Sequence, residues 1–188
     1  LMDELVAAVE TARTRQLKVA AHAHTTAGIN MALEAGVDSI EHGSWLDARS
    51  YELLVETGAY LVPTLAVKDF VRESLAQRSP EVRARLEASI AEHPRRVFEA
   101  FQAGAKIASG SDAGVSRHGK NARELEWYVD IGLTEMEAIV TATVNAADLL
   151  GEADLGTLEA GKLADVIAVS ESPLENISAL TAVDFVMK

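Results

Sequence analysis

The 188-residue sequence contains no cysteine. Disulfides and thiolate ligands are thereby excluded, so any metal held by this chain must be bound by imidazole and carboxylate. No run of 18 apolar residues occurs and nothing at the amino terminus resembles a signal peptide. No membrane partner is therefore expected, and a cytoplasmic location is. Basic residues are also scarce, 17 against 29 acidic ones, for a net charge of −12, and no Lys/Arg cluster offsets the repulsion of a phosphate backbone. Nucleic acid is excluded as an expected partner. What the chain does have is an ordinary apolar fraction, 48%, enough for a real core.

The apolar spacing predicts alternating helices and short strands. Leu5, Val6, Val9 and Ala12 mark an amphipathic helix over residues 2–16. Val19 to His22 reads as a buried strand, followed by a helix over 28–35 that Gly36 ends. A second strand is expected over 37–43, a helix capped by Asp47 over 48–57, and a third strand over 59–65. Ser79-Pro80 opens a long helix to about Ala103, which Pro94 is expected to kink or divide, and a fourth strand follows over 105–112. After a polar loop at 113–121, helices run through Leu125 and Val129, from the Thr134 cap through Ile139, and to Leu150. Tight turns and β-rich runs fill 155–188, so two units are expected, 1–154 and 155–188. Strands alternating with helices indicate α/β architecture with parallel strands. A complete eight-stranded barrel takes about 250 residues, so half a barrel suits this length better than a whole one.

Functional side chains cluster where the strands end. His22 and His24 share a face after the first strand, His42 follows the second in Ile-Glu-His-Gly, and Asp112 follows the fourth in Ser-Gly-Ser-Asp-Ala-Gly. Residues this far apart in sequence converge at the C-terminal mouth of a parallel barrel. Histidine and aspartate without cysteine suit zinc or a similar cation, which polarises a carbonyl and acidifies a water, leaving Asp112 to move the proton. Two histidines remain. His93, beside Pro94 in a charged helix, is expected at the surface, and the Glu/Arg series over 81–99 as a solvated face with ion pairs. His118, in the 113–121 loop with Arg117 and Lys120, reads as solvated or as a substrate contact.

At these residues the sequence resembles the amidohydrolase superfamily, in its imidazolonepropionase-like and Xaa-Pro dipeptidase-like branch. Val-Ala-Ala-His22-Ala-His24, Ser-Ile-Glu-His42-Gly, Val-Pro-Thr-Leu65, Ala-Ser-Gly-Ser-Asp112-Ala-Gly and Gly-Thr-Leu-Glu-Ala-Gly161-Lys-Leu-Ala-Asp165 carry the likeness across nearly the whole chain. The resemblance implies the C-terminal half of a (β/α)8 TIM-type barrel, strands five to eight, plus part of a small β-sandwich from 155–188. It implies His22, His42 and Asp112 as metal ligands, Asp112 as the catalytic proton carrier, and one or two divalent ions, zinc foremost. His24 then becomes a contact behind the ligands or with substrate, or the two histidines exchange roles. The family's strand-one His-X-His and its strand-four bridging lysine have no match here. Lys18 and Lys106 both stand at strand starts.

The implied activity is metal-dependent hydrolysis of amide-like C–N bonds in a small molecule: a dipeptide, an N-acyl amino acid or a cyclic amide. Two alternatives stand beside it, deamination within the same superfamily and a noncatalytic assembly role. Deaminase motifs place a glutamate three residues after the ligand histidine, where this chain has Thr25. A half-barrel leaves open sheet edges, so the missing N-terminal half or a homo-oligomeric partner is expected to close it. Alone, the chain is expected to bind metal weakly and turn over little substrate.

Overall fold

The computed structural model describes residues 1–188. Its centre is a four-stranded, all-parallel sheet in the order β1 (Ala20–Ala23), β2 (Ser39–His42), β3 (Tyr60–Val62), β4 (Lys106–Ile107). The strands are shorter than the apolar runs that announce them, because pairing stops where each chain turns into its loop. Helices connect them: α1 (Met2–Thr14) precedes β1, and α2 (Thr26–Ala35) and α3 (Ala48–Thr57) make the first two crossovers. The third crossover holds two helices, α4 (Val67–Ser74) and α5 (Pro80–Gln102). After β4 come α6 (Arg123–Asp130), α7 (Glu135–Ala142) and α8 (Val144–Leu150), then an antiparallel ribbon of β5 (Val166–Ala168) and β6 (Phe185–Met187). No helix is long and apolar enough to cross a membrane.

Local chemistry sets most of these boundaries. Asp47 accepts from the Ser50 amide while the Ser50 side chain returns to the Asp47 amide, a reciprocal cap at the start of α3. Thr134 and Glu137 do the same for α7. Gly36, Gly58 and Gly151 end α2, α3 and α8 in the left-handed conformation.

Register places the core on one face of the sheet. Ala21, Ile40, Leu61 and Ile107 pair in line across the four strands, and the last three are fully buried beneath the helices. They belong to a cluster of 23 buried residues that includes Leu33, Leu54, Val97 and Tyr128. Ile177, from the segment between β5 and β6, joins the same cluster. The opposite face carries a smaller apolar patch, Tyr60, Val62 and Ala108, with Leu149 of α8 against it. Burying apolar side chains on both faces is what makes these strands read as continuous apolar runs.

Two expectations are corrected. Pro94 does not divide α5, which runs unbroken for 23 residues. His93 is not at the surface: it is 1% exposed, and its Nε2 donates to the His42 carbonyl at 2.8 Å. Only one side of α5 is the solvated charged face that was expected, with Arg95 paired to Glu92 at 2.7 Å and to Glu99. The other side lies over the sheet's C-terminal mouth.

Candidate metal centre

Three of the predicted histidines converge. The rings of His22, His24 and His42 have centroids 4.5–4.7 Å apart, and one ring nitrogen from each lies within 4.8 Å of the others. His22 and His24 meet as the strand alternation requires, one at the end of β1 and one just beyond it. His42 arrives differently. Simple alternation would put it on the same face as the buried Ile40, but its backbone is left-handed, φ +72°, and the ring turns to the mouth. Its Nε2 there shares a 3.0 Å hydrogen bond with His22 Nδ1. Gly43 follows, also left-handed at φ +63°, and a Cβ at that position would stand 2.7 Å from Leu61 Cδ1. A side chain there would strain the backbone and have to displace Leu61.

Strain is concentrated at this mouth. Among non-glycine residues, positive φ occurs at His42, which ends β2, at Thr64 and Asp112 in the loops that leave β3 and β4, and otherwise only at Gln16. A β-branched threonine at φ +53° is held there at a cost of about 1–3 kcal/mol, which its surroundings must supply.

Each anchored imidazole is fixed through Nδ1. Thr64 Oγ1 holds His42 Nδ1 at 2.7 Å, and Ser44 Oγ holds His24 Nδ1 at 2.8 Å, leaving Nε2 of both rings toward the cluster. Such partners behind an imidazole fix its tautomer and direction, as metal sites require. Burial is the main force keeping these rings neutral. It pushes His42 down to about 4, with His24 and His22 adding to the effect and Asp112 opposing it. His24 is lowered too, by burial and then by His22, Lys68 and Arg85. Neutral imidazole is the form that ligates, and with one ring nitrogen of each within 4.8 Å of the others the trio could hold a metal ion.

Asp112 lines the same cavity, an open space of about 510 Å³, and its carboxylate makes no hydrogen bond within the chain. His118 is not brought in: it is exposed on its loop, away from the cavity lining. Arg117 and Lys120 from that loop line a different groove, where Arg117 pairs with Glu73 at 3.5 Å.

The cavity's remaining wall was not anticipated. Lys68 of α4 and Arg85 and Ser89 of α5 face the histidines, with Val71 and Leu86 between them. Lys68 is nine-tenths buried, and its Nζ has one partner, Ser89 Oγ at 3.1 Å. Burial lowers it to about 8 against the attraction of Glu124. On α5 the spacing 85, 86, 89, 93 is helical and was legible, but nothing in the sequence said which side of the helix covered a site.

Comparison with known proteins follows the same line. The profile of the Amidohydrolase family matches residues 2–188. An ochratoxinase from Aspergillus niger is 39% identical over 179 residues, 93% of this chain and 37% of the relative. An imidazolonepropionase from Deinococcus deserti is 30% identical over 172 residues, 88% of this chain and 40% of the relative. The crystal structure of a Xaa-Pro dipeptidase with bound methionine in the active site superposes with a TM-score of 0.94 at 42% identity, covering all of this chain and 47% of that one. The chain thus spans half or less of the length of these relatives.

Proposed function

The chain belongs to the amidohydrolase family, and from that premise we propose that it carries strands five to eight of a (β/α)8 barrel whose metal-dependent site hydrolyses amide-like C–N bonds in a substrate with a free carboxylate. The convergence of His22, His24 and His42 at the strand ends, with the Asp112 carboxylate in the same cavity, carries this reading. Residues 155–188, with the β5–β6 ribbon, are the proposed contribution to a small sandwich unit.

His22, His42 and Asp112 are the proposed ligands of one or two zinc ions, and His24 joins them as a donor through its free Nε2. A divalent cation held by these residues would supply Lewis acidity to a carbonyl and acidify a bound water. Asp112 has the protein's part of the proton traffic. Its carboxylate takes the proton of the attacking water as the C–O bond forms and delivers it to the nitrogen as the C–N bond breaks. Ser44 and Thr64 keep His24 and His42 aimed throughout.

Lys68 and Arg85 support the substrate class. Neither pairs with a carboxylate of the chain, and both face the cavity that holds the imidazoles. A carboxylate is the group that would complete them, and charge-assisted contacts of this kind orient a substrate. The dipeptidase relative holds methionine, a free amino acid, in its active site. Hydrolysis is favoured over deamination by Thr25, whose hydroxyl accepts from the Gly28 amide as the cap of α2 and supplies no carboxylate to the cavity.

The test is hydrolysis of Ala-Pro and N-acetyl-L-proline by the zinc-loaded chain mixed with the N-terminal half of a related dipeptidase. Turnover should disappear in Asp112→Ala and His42→Ala, and Lys68→Met should raise KM for both substrates about tenfold or more. Undiminished turnover in Asp112→Ala would refute the assignment.

A further inference from the structure

Glu124 carries the least expected arrangement in the chain. It lies on α6, beyond β4, and it is completely buried. Its two carboxylate oxygens reach 58 and 59 residues back along the chain, where Oε1 accepts from the Leu65 amide and Oε2 from the Ala66 amide, each at 2.7 Å. A buried carboxylate is costly unless several donors satisfy it, and two adjacent amides in a bidentate grip do so.

The grip falls immediately after Thr64. That residue has its strained left-handed backbone, and its hydroxyl is the partner of His42 Nδ1. Fixing the next two amides fixes the peptide plane on which Thr64 sits, and so the direction of its Oγ1. We propose that Glu124 is a positioning residue for His42, acting through the Leu65 and Ala66 amides and the Thr64 hydroxyl. The inference rests on the reading of His42 as a metal ligand. It connects three strand segments in one chain of contacts: the helix after β4 holds the turn after β3, and that turn holds the histidine ending β2.

A purely structural role has to be separated from this one. Ala66 stands at the N-cap of α4 with no side-chain cap of its own, and the amides of Val67, Lys68 and Asp69 turn back on the carbonyls of Thr64, Leu65 and Ala66, so Glu124 also braces the segment that enters the helix. Bracing alone predicts lost stability with unchanged metal binding. Positioning predicts a change in the histidine itself.

Cobalt(II) titration of the chain mixed with the N-terminal half of a related dipeptidase, followed by visible absorption, distinguishes them, using Glu124→Gln, Thr64→Val and the double variant. Loss of a partner behind a ligand weakens metal affinity about 10–100-fold, so Glu124→Gln should raise the Kd about tenfold. Because the effect passes through Thr64, the double variant should bind no more weakly than Thr64→Val alone. Glu124→Asp, whose shorter carboxylate withdraws from the two amides, should shift the Kd in the same direction and serves if Glu124→Gln does not fold. A Kd within about twofold of the parent in a folded variant, or independent multiplication of the two effects, overturns the proposal. If the parent chain adds no cobalt uptake to that of the N-terminal half alone, the metal reading fails instead. The clamp is then judged by the 15N shifts of His42 in the metal-free chain: an altered Nδ1/Nε2 tautomer balance in Glu124→Gln supports it, and an unaltered one overturns it.

Discussion

Replacing His42 with glutamine should change how this chain tolerates acid, by an amount that follows from the burial of the ring. In the unfolded chain His42 takes up a proton near its ordinary value of about 6.5. In the folded chain burial, with His24 and His22 nearby, delays this to about 4. Between those values the unfolded state binds more protons, so the stability His42 contributes is complete above about pH 6.5 and is lost as the pH falls toward 4. At pH 5 the unfolded ring is favoured about 30-fold by protonation, a loss of about 2 kcal/mol, against a total stability of about 5–15 kcal/mol for ordinary domains. Glu124 titrates in the opposite sense. Burial raises it to about 7 despite its two amide partners, so its proton uptake stabilises the fold as the pH falls from there toward 4.5. The profile of the parent chain alone therefore mixes two opposed contributions, and the difference between parent and His42→Gln isolates one. Urea unfolding in EDTA should show that difference shrinking by about 2 kcal/mol between pH 7.5 and pH 5, or about 1 M in the midpoint for a slope near 2 kcal/mol/M. A difference that is the same at both pH values, or that grows with acid, would refute the burial argument.

Two further outcomes concern the fold. Leu61 is fully buried on β3 at the centre of the sheet and contacts the turn at Gly43, so Leu61→Ala should cost about 2–5 kcal/mol in urea unfolding at neutral pH. His93→Leu keeps the apolar bulk but removes the donor to the His42 carbonyl, which should cost about 1–3 kcal/mol and weaken cobalt binding in the protein that remains folded.

Much of this was legible because the signals are local. Asp47 with Ser50, and Thr134 with Glu137, cap their helices from within four residues, and α3 begins and ends where the sequence placed it. The helix α4 was not legible for a matching reason: its start has no side-chain cap, and the carboxylate that grips the Ala66 amide at its N-cap belongs to Glu124, 58 residues away. His93 failed in the same way. Its neighbours in sequence are Pro94 and charged residues, whereas its partner is the carbonyl of His42. At the site, spacing and strand-end position pointed to His22, His24 and His42, which the structure clusters, and to Asp112, which lines the same cavity, but the left-handed backbone that swings His42 off its expected face carries no sequence pattern beyond the glycine after it. The cationic wall of Lys68 and Arg85 depends on which sides of α4 and α5 cover the mouth, and that is a tertiary fact.

The central claim is that these imidazoles are ligands. X-ray absorption at the zinc edge of the chain mixed with the N-terminal half of a related dipeptidase, loaded with one equivalent at pH 7.5, tests it directly. The account predicts a first shell containing imidazole nitrogens at about 2.0–2.1 Å, with that contribution reduced in His22→Ala and in His42→Ala. A shell of oxygen alone, or one that neither substitution changes, would contradict it.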